Sequence, residues 1–157
     1  MIKALLFDFS RVLLFSRDES YTGSLNEKHK SLSQENTYNL LDHFVLNDEL
    51  LKYLDQIKEK VPLYIFTTDI IQDDPALKVK IDPIFKQIFS ANKLGLSKQD
   101  PSSYQKLAVQ ISLPPEEILF IDDQAANVEI AKQAGLEAIQ YQNNQQLTTK
   151  LDQILND

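Results

Sequence analysis

Polar side chains that could bind a metal ion follow three apolar runs of this sequence. The runs are residues 4–7 before Asp8, residues 63–66 before Thr67 and Thr68, and residues 118–121 before Asp122 and Asp123. A carboxylate that directly follows a buried strand loses hydration at a cost unless it is paired or bound to a metal ion. Ligation by oxygen alone suits Mg²⁺. The residue types therefore favour a magnesium site, and the alternative is that each aspartate caps the helix that follows its strand.

The apolar runs predict strands that are buried on both faces, because each is short and continuously hydrophobic. Weaker strand patterns lie at residues 87–90 and 137–141. In an open parallel sheet, ligands bind at the carboxyl ends of the strands. If the three strongest strands are neighbours, Asp8, Thr67 and Asp122 face one acidic cleft. A shared metal requires the carboxylates of Asp8 and Asp123 to lie within about 6 Å of each other.

Helical patterns separate the predicted strands. They comprise a helix capped by Asn47, a helix over Pro101–Ile111, a helix over 125–134 ended by Gly135, and a terminal helix from about Gln145. Strands that alternate with helices imply right-handed crossovers. The sequence therefore predicts an α/β three-layer sandwich built on a parallel sheet.

Residues 16–46 interrupt this alternation. The segment is polar, carries His29 and His43, and has only scattered apolar positions. We interpret it as an insertion between the first strand and the first core helix, long enough for one helix or one hairpin. Residues 1–157 otherwise predict a single domain.

The charge and composition exclude several classes of protein. The net charge of -7 disfavours binding to nucleic acids and to anionic membranes. The absence of cysteine excludes disulfides and thiolate metal sites. The apolar runs are too short to span a bilayer, and the strand pattern that follows Met1 leaves no room for a signal peptide. These features predict a cytoplasmic protein.

Four segments, in order, resemble the motifs of the haloacid dehalogenase-like (HAD-like) hydrolases. They are residues 3–10 around Asp8, residues 66–68 around Thr67, residues 95–101 around Lys98, and residues 120–123 followed by Asn127. The resemblance implies a Rossmann-like fold, with residues 16–46 as a reduced cap over the cleft. The sequence is most similar to the sugar-phosphate phosphatase branch of the family. The expected substrate is a small phosphorylated metabolite.

The resemblance also implies a role for each matching residue. Asp8 is the expected nucleophile, which forms an aspartyl-phosphate, and Asn127 orders the site from outside. The catalytic set is Asp8, Ser10, Thr67 and Lys98. The expected phosphate-binding residues are Phe9, Ser10, Thr67, Thr68 and Lys98. The expected Mg²⁺ ligands are Asp8, the backbone carbonyl of Ser10, Asp122 and Asp123.

Ser10 departs from the pattern of the family, whose phosphatases usually carry an aspartate two residues after the nucleophile. A serine hydroxyl does not titrate near neutral pH and is a poor general acid. An alternative hypothesis is therefore a catalytically weak protein that binds a phosphorylated ligand or a protein partner. Asp69, His29 and His43 are the candidates for a substitute acid. A receiver-like signalling domain fits less well, because it lacks the insertion and the fourth motif.

Overall fold

A five-stranded parallel sheet lies at the centre of the computed structural model, which describes residues 1–157. Its strands are β1 (Ala4–Phe7), β4 (Leu63–Thr67), β5 (Gln87–Ser90), β6 (Ile118–Asp122) and β7 (Glu137–Gln140). Their order across the sheet is β5-β4-β1-β6-β7, and every neighbouring pair is parallel. The predicted α/β fold is confirmed, and the three strongest strands are neighbours.

Both faces of the sheet are covered, which explains the continuous apolar runs. Leu5 and Phe7 of β1 pack into one buried cluster, and Ala4 and Leu6 pack into the other. Because successive side chains of a strand point to opposite faces, a strand with two buried faces has no polar alternation.

Helices form the two outer layers of the sandwich. They are α3 (Asp48–Ile57), α4 (Pro75–Ile81), α5 (Ala91–Leu94), α6 (Pro101–Ile111), α7 (Ala125–Gln133) and α8 (Asn144–Asn156). Leu50 of α3 and Leu147 of α8 join the first buried cluster, whereas Leu107 of α6 and Val128 of α7 join the second. Asn47 caps α3, as predicted.

The main helices match the predicted ones to within a residue or two, while two short helices were not predicted. Gly135 has the left-handed φ of +97° expected for the residue that ends α7. Helix α4 is short and buries only Leu77 and Ile81, and α5 has four residues. Neither helix is long enough to produce a clear apolar period.

The segment 16–46 contains two helices where one helix or one hairpin was expected, and an antiparallel strand pair joins its two ends. Strands β2 (Leu14–Ser16) and β3 (Phe44–Leu46) pair antiparallel, and α1 (Leu25–Leu32) and α2 (Leu40–His43) lie between them. Caps explain this local structure, because the side chains of Ser24 and Asn39 accept from the first turns of α1 and α2. No helix in the chain is long and apolar enough to cross a bilayer.

Candidate active site

The carboxyl ends of three adjacent strands bring the chemically active side chains together. Asp8 directly follows β1, and its backbone N–H donates to the carbonyl of Ile121 over 2.8 Å. Thr67 ends β4 and Asp122 ends β6. Since β1 lies between β4 and β6, a residue at the end of β1 is flanked by both neighbours.

Three carboxylates cluster at this edge of the sheet. One ligand atom from each of Asp8, Asp122 and Asp123 lies within 4.8 Å of the others. Asp8 and Asp122 are buried, and Asp123 is half-buried. The carboxylates of Asp8 and Asp123 thus lie within the distance of about 6 Å expected for two ligands of one metal ion. An all-oxygen set of three carboxylates fits the preference of Mg²⁺ for hard ligands.

Lys98 places a positive charge against this cluster. Its ammonium group donates to Asp8 Oδ1 and lies 3.4 Å from Asp122 Oδ2. The ammonium also sits 5.5 Å from the ring of Phe66 and 5.9 Å from the ring of Phe120. One ammonium opposes three carboxylates, so the cluster keeps an excess of negative charge that a divalent cation can offset.

Burial disfavours the charged form of the nucleophile candidate. Desolvation raises the pKa of Asp8 to about 7, Lys98 acts in the opposite direction, and the charge of Asp122 adds to the rise. Burial and the neighbouring Asp122 also raise the pKa of Asp123. Asp8 and Asp123 therefore resist ionisation when no cation is bound beside them.

Asp122 is held from several directions. Its Oδ1 accepts from the backbone N–H of Gln124 over 2.8 Å, and its Oδ2 accepts from Asn127 Nδ2 over 3.1 Å. Asn127 is itself buried. These bonds fix the orientation of Asp122, and the expected ordering role of Asn127 has a direct contact to act through.

A small cavity of about 160 Å³ opens beside the carboxylates. Its lining includes seven residues expected from the sequence, namely Asp8, Ser10, Thr67, Thr68, Lys98, Asp123 and Asn127. It also includes five that were not expected, namely Arg11, Ser24, Leu25, Asn26 and Gln124. A larger cavity of about 700 Å³ borders the β2–β3 hairpin but contains neither the carboxylate cluster nor Lys98.

Two residues of the expected set do not line the cavity. Phe9 is fully buried in the apolar core, and its backbone N–H donates to Asp8 Oδ1 over 2.8 Å. The N–H of Phe9 therefore orients the carboxylate of Asp8, and the contact of Phe9 with phosphate stays a prediction. Asp122 is fully buried behind the cavity wall.

The candidate substitute acids lie outside the cavity. Asp69 Oδ2 pairs with Lys30 Nζ at 2.5 Å. His29 Nδ1 contacts the hydroxyl group of Tyr38 at 2.8 Å, and burial lowers the pKa of His29. His43 stacks on Tyr38 with ring centroids 5.7 Å apart. All three side chains take part in contacts of the insertion.

Arg11 was missed because nothing in its residue type or spacing marked it. It adopts a left-handed φ of +62°, uncommon for a residue with a Cβ atom. Its guanidinium donates to the carbonyl of Gly23 over 2.6 Å and to that of Tyr21 over 3.3 Å. Arg11 thus ties the loop that carries Ser10 to the segment that precedes α1.

Comparisons with known proteins agree with this arrangement. Residues 14–135 match the family model described as haloacid dehalogenase-like hydrolase. Enolase-phosphatase E1 of Aquifex aeolicus is 35% identical over 101 residues, which cover 60% of this chain and 44% of the relative. Its counterpart in Methylococcus capsulatus is 28% identical over 113 residues, covering 68% and 49%. The chain thus spans less than half the length of these relatives.

Solved structures share the fold. A predicted HAD-like family hydrolase from Porphyromonas gingivalis superposes with a TM-score of 0.71 at 20% identity, covering 100% of this chain and 99% of that one. A HAD family enzyme from Bacteroides thetaiotaomicron, solved with magnesium and inorganic phosphate, gives 0.69 at 18% identity, covering 90% and 95%.

Proposed function

Because the chain belongs to the haloacid dehalogenase-like hydrolases, we propose that it is a Mg²⁺-dependent phosphomonoesterase acting on a small phosphorylated metabolite. The observation that carries the proposal is the cluster of Asp8, Asp122 and Asp123 at adjacent strand ends, with Lys98 against it. The phosphatase names of the relatives and the magnesium–phosphate complex of the Bacteroides enzyme support it.

Asp8 acts as the nucleophile in this proposal. The N–H of Phe9 and the ammonium of Lys98 both bind Oδ1, which fixes the carboxylate and leaves its other oxygen to attack phosphorus. The new P–O bond forms as the ester P–O bond breaks, and the departing alkoxide takes its proton from a water molecule of the solvent. Water then cleaves the aspartyl-phosphate, which releases phosphate and restores Asp8.

The phosphate group is held by donors that line the cavity. Thr67 and Thr68 offer hydroxyl groups, and Lys98 offers an ammonium. When bound, Mg²⁺ would be held by Asp8, Asp123 and the Ser10 carbonyl, with Asp122 close behind, and would offset charge on the phosphate oxygens. The 16–46 insertion acts as a reduced cap, since Ser24, Leu25 and Asn26 form part of the cavity wall.

A second candidate function is the binding of a phosphorylated ligand or a protein partner with little turnover. The observation in its favour is Ser10, because the cavity lining then has no histidine and no carboxyl group besides Asp8 and Asp123. This candidate predicts binding of phosphate esters without release of phosphate.

A phosphate-release screen over many phosphomonoesters, with Mg²⁺ and with a chelator, tests the proposal. We expect release only with Mg²⁺ and a loss of about 10³-fold or more in Asp8→Asn, because the covalent step is removed. The control is Asp55→Asn, which removes one exposed carboxylate on α3. Wild-type rates in Asp8→Asn would refute the covalent mechanism, and binding without any release would favour the second candidate.

Magnesium binding can be measured separately by calorimetry. Asp123→Asn should weaken Mg²⁺ affinity by about tenfold or more, because a charged ligand becomes a neutral one. Asp55→Asn should leave the affinity unchanged. Equal affinity in wild type and Asp123→Asn would remove Asp123 from the metal site.

A further inference from the structure

The insertion contributes one wall of the candidate active-site cavity. Ser24, which caps α1, and Leu25 and Asn26 of the first helical turn line it together with Ser10 of the nucleophile loop. Leu25 is the one apolar residue of the lining. This wall is the part of the cavity that belongs to neither the carboxylate cluster nor the phosphate donors.

Two polar atoms on residues of this lining have no partner within the protein. Ser10 Oγ and Asn26 Oδ1 are shielded from solvent and make no hydrogen bond. The third such side-chain atom in the chain, Gln72 Oε1, belongs to a residue outside the cavity. A buried polar group without a partner costs free energy, so the coincidence of two on one small cavity points to a ligand that pairs with them.

Looseness of the insertion does not explain the unpaired atoms. Leu25, next to Asn26, is only 1% exposed within the core cluster. The guanidinium of Arg11 holds the carbonyls of Tyr21 and Gly23, just before the helix. Asn26 is therefore fixed from both the core and the nucleophile loop.

The size and polarity of the cavity limit what can enter. Its volume of about 160 Å³ is well below the roughly 300–1,000 Å³ of ordinary ligand pockets. A phosphate group leaves space for only a few more atoms. An amide oxygen accepts hydrogen bonds only, so its natural partner on a ligand is a hydroxyl or amine donor.

We propose that Asn26, assisted by Ser10, selects the alcohol part of the substrate. The substrate class is a short alkyl phosphate that carries a hydroxyl group on the carbon next to the ester carbon. The hydroxyl donates to Asn26 Oδ1 and accepts from the Ser10 hydroxyl. This inference rests on the proposed function. It identifies the alcohol part of the substrate, which the phosphate-binding residues do not contact.

Hydroxyethyl phosphate and propyl phosphate form the matched probe pair, because they differ by exchange of a hydroxyl for a methyl group. Their dissociation constants are measured by calorimetry in Mg²⁺ on Asp8→Asn, which cannot turn them over. We expect hydroxyethyl phosphate to bind about tenfold more tightly or better. Adding Asn26→Leu or Asn26→Ala should reduce the preference to about twofold or less. Adding Asn36→Leu, at an exposed asparagine of the same insertion, should leave it intact.

The two Asn26 variants separate loss of the amide from filling of the cavity, and thermal unfolding shows whether each variant is folded. The proposal is overturned if the two probes bind Asp8→Asn with nearly equal dissociation constants, or if their ratio is unchanged in both Asn26 variants. Either result would indicate that water, and not the substrate, pairs with Asn26 Oδ1 and Ser10 Oγ. Phosphate release by the wild type from acetyl phosphate in Mg²⁺ tests the proposed function independently, because acetyl phosphate is as small as hydroxyethyl phosphate and carries no hydroxyl group. Release without the hydroxyl preference defeats only this inference, and the preference without release defeats only the proposed function.

Discussion

The strand ends of the sheet and the 16–46 insertion line the same cavity but are built in opposite ways. At the strand ends, Asp8 and Asp122 are buried, and the buried ammonium of Lys98 contacts both. The insertion is largely exposed, and few of its side chains reach the core. Its contacts with the rest of the chain include the Arg11 hydrogen bonds and the pair of Lys30 with Asp69.

The two regions therefore differ in how much sequence change each can tolerate. Charges in the buried cluster depend on one another, so a change in one leaves its partners uncompensated. Exposed contacts of the insertion each contribute little, so they can change without loss of the fold. The buried cluster is expected to fix the reaction, and the insertion is expected to fix the substrate.

The largest effect should follow removal of the buried ammonium. Lys98→Met leaves Asp8 and Asp122 without their cation, and we expect a loss of about 3 kcal/mol in the free energy of unfolding at neutral pH. The control is Lys93→Met, which breaks an exposed lysine–aspartate pair and should cost less than about 1 kcal/mol. Urea unfolding in a chelator measures both variants. An equal loss of unfolding free energy in both variants would show that the buried lysine contributes no more to stability than the exposed one.

A smaller effect is expected at Ser10, where the cluster meets the insertion. Ser10→Asp supplies a general acid and should raise turnover of alkyl phosphates by roughly ten- to a hundredfold. Acetyl phosphate should gain less, since its leaving group needs no proton. Steady-state kinetics on both substrate types measures this, with Ser31→Asp on the exposed face of α1 as the control for added charge. Slower alkyl turnover in Ser10→Asp would mean that another residue is the acid.

Stability of the metal-free protein should fall as pH rises from about 4 to 7. The raised pKa of Asp8 means that the folded state binds more protons than the unfolded chain in this window, so unfolding becomes easier as pH increases. We expect the melting temperature in a chelator to drop by roughly 5 °C across it. Asp8→Asn should flatten the profile. Identical slopes in wild type and Asp8→Asn would assign the effect to other groups.

The smallest effect should come from the insertion's anchor. Lys30 is 57% exposed in its pair with Asp69, so Lys30→Met should change the free energy of unfolding by less than about 1 kcal/mol. KM should rise a few-fold with kcat nearly unchanged if the pair only holds the cap in place. Lys52→Met, at an exposed lysine of α3, is the comparison variant. A fall in kcat of the size seen at Ser10 would place Lys30 in the chemistry.

The positions of the strand ends were predictable because a strand that is buried on both faces has a continuous apolar sequence. Continuous apolar runs marked β1, β4 and β6, and the polar residues that follow them stood out against those runs. Lys98 lies in a loop and was found only through its motif, because a lone lysine carries no signal of burial.

The insertion was less predictable because its structure depends on single contacts. The caps at Ser24 and Asn39 act over a few residues, and the pairing of β2 with β3 joins segments far apart in the chain. Arg11 and Asn26 owe their positions to those contacts. No periodic pattern encodes these contacts, so the position of Asn26 at the cavity could not be predicted.

The pairing of Ser16 with Phe44 has a consequence for engineering. The two ends of the segment between these residues are adjacent in space, so a segment of different length has to span only the same short distance. Doubling the length of the segment costs only about 0.6 kcal/mol in chain entropy. A transplanted segment from another protein could be grafted between these two positions while the sheet keeps its register. The paired strands β2 and β3 thus offer a site where segments with a different substrate selectivity can be inserted while the carboxylate cluster stays unchanged.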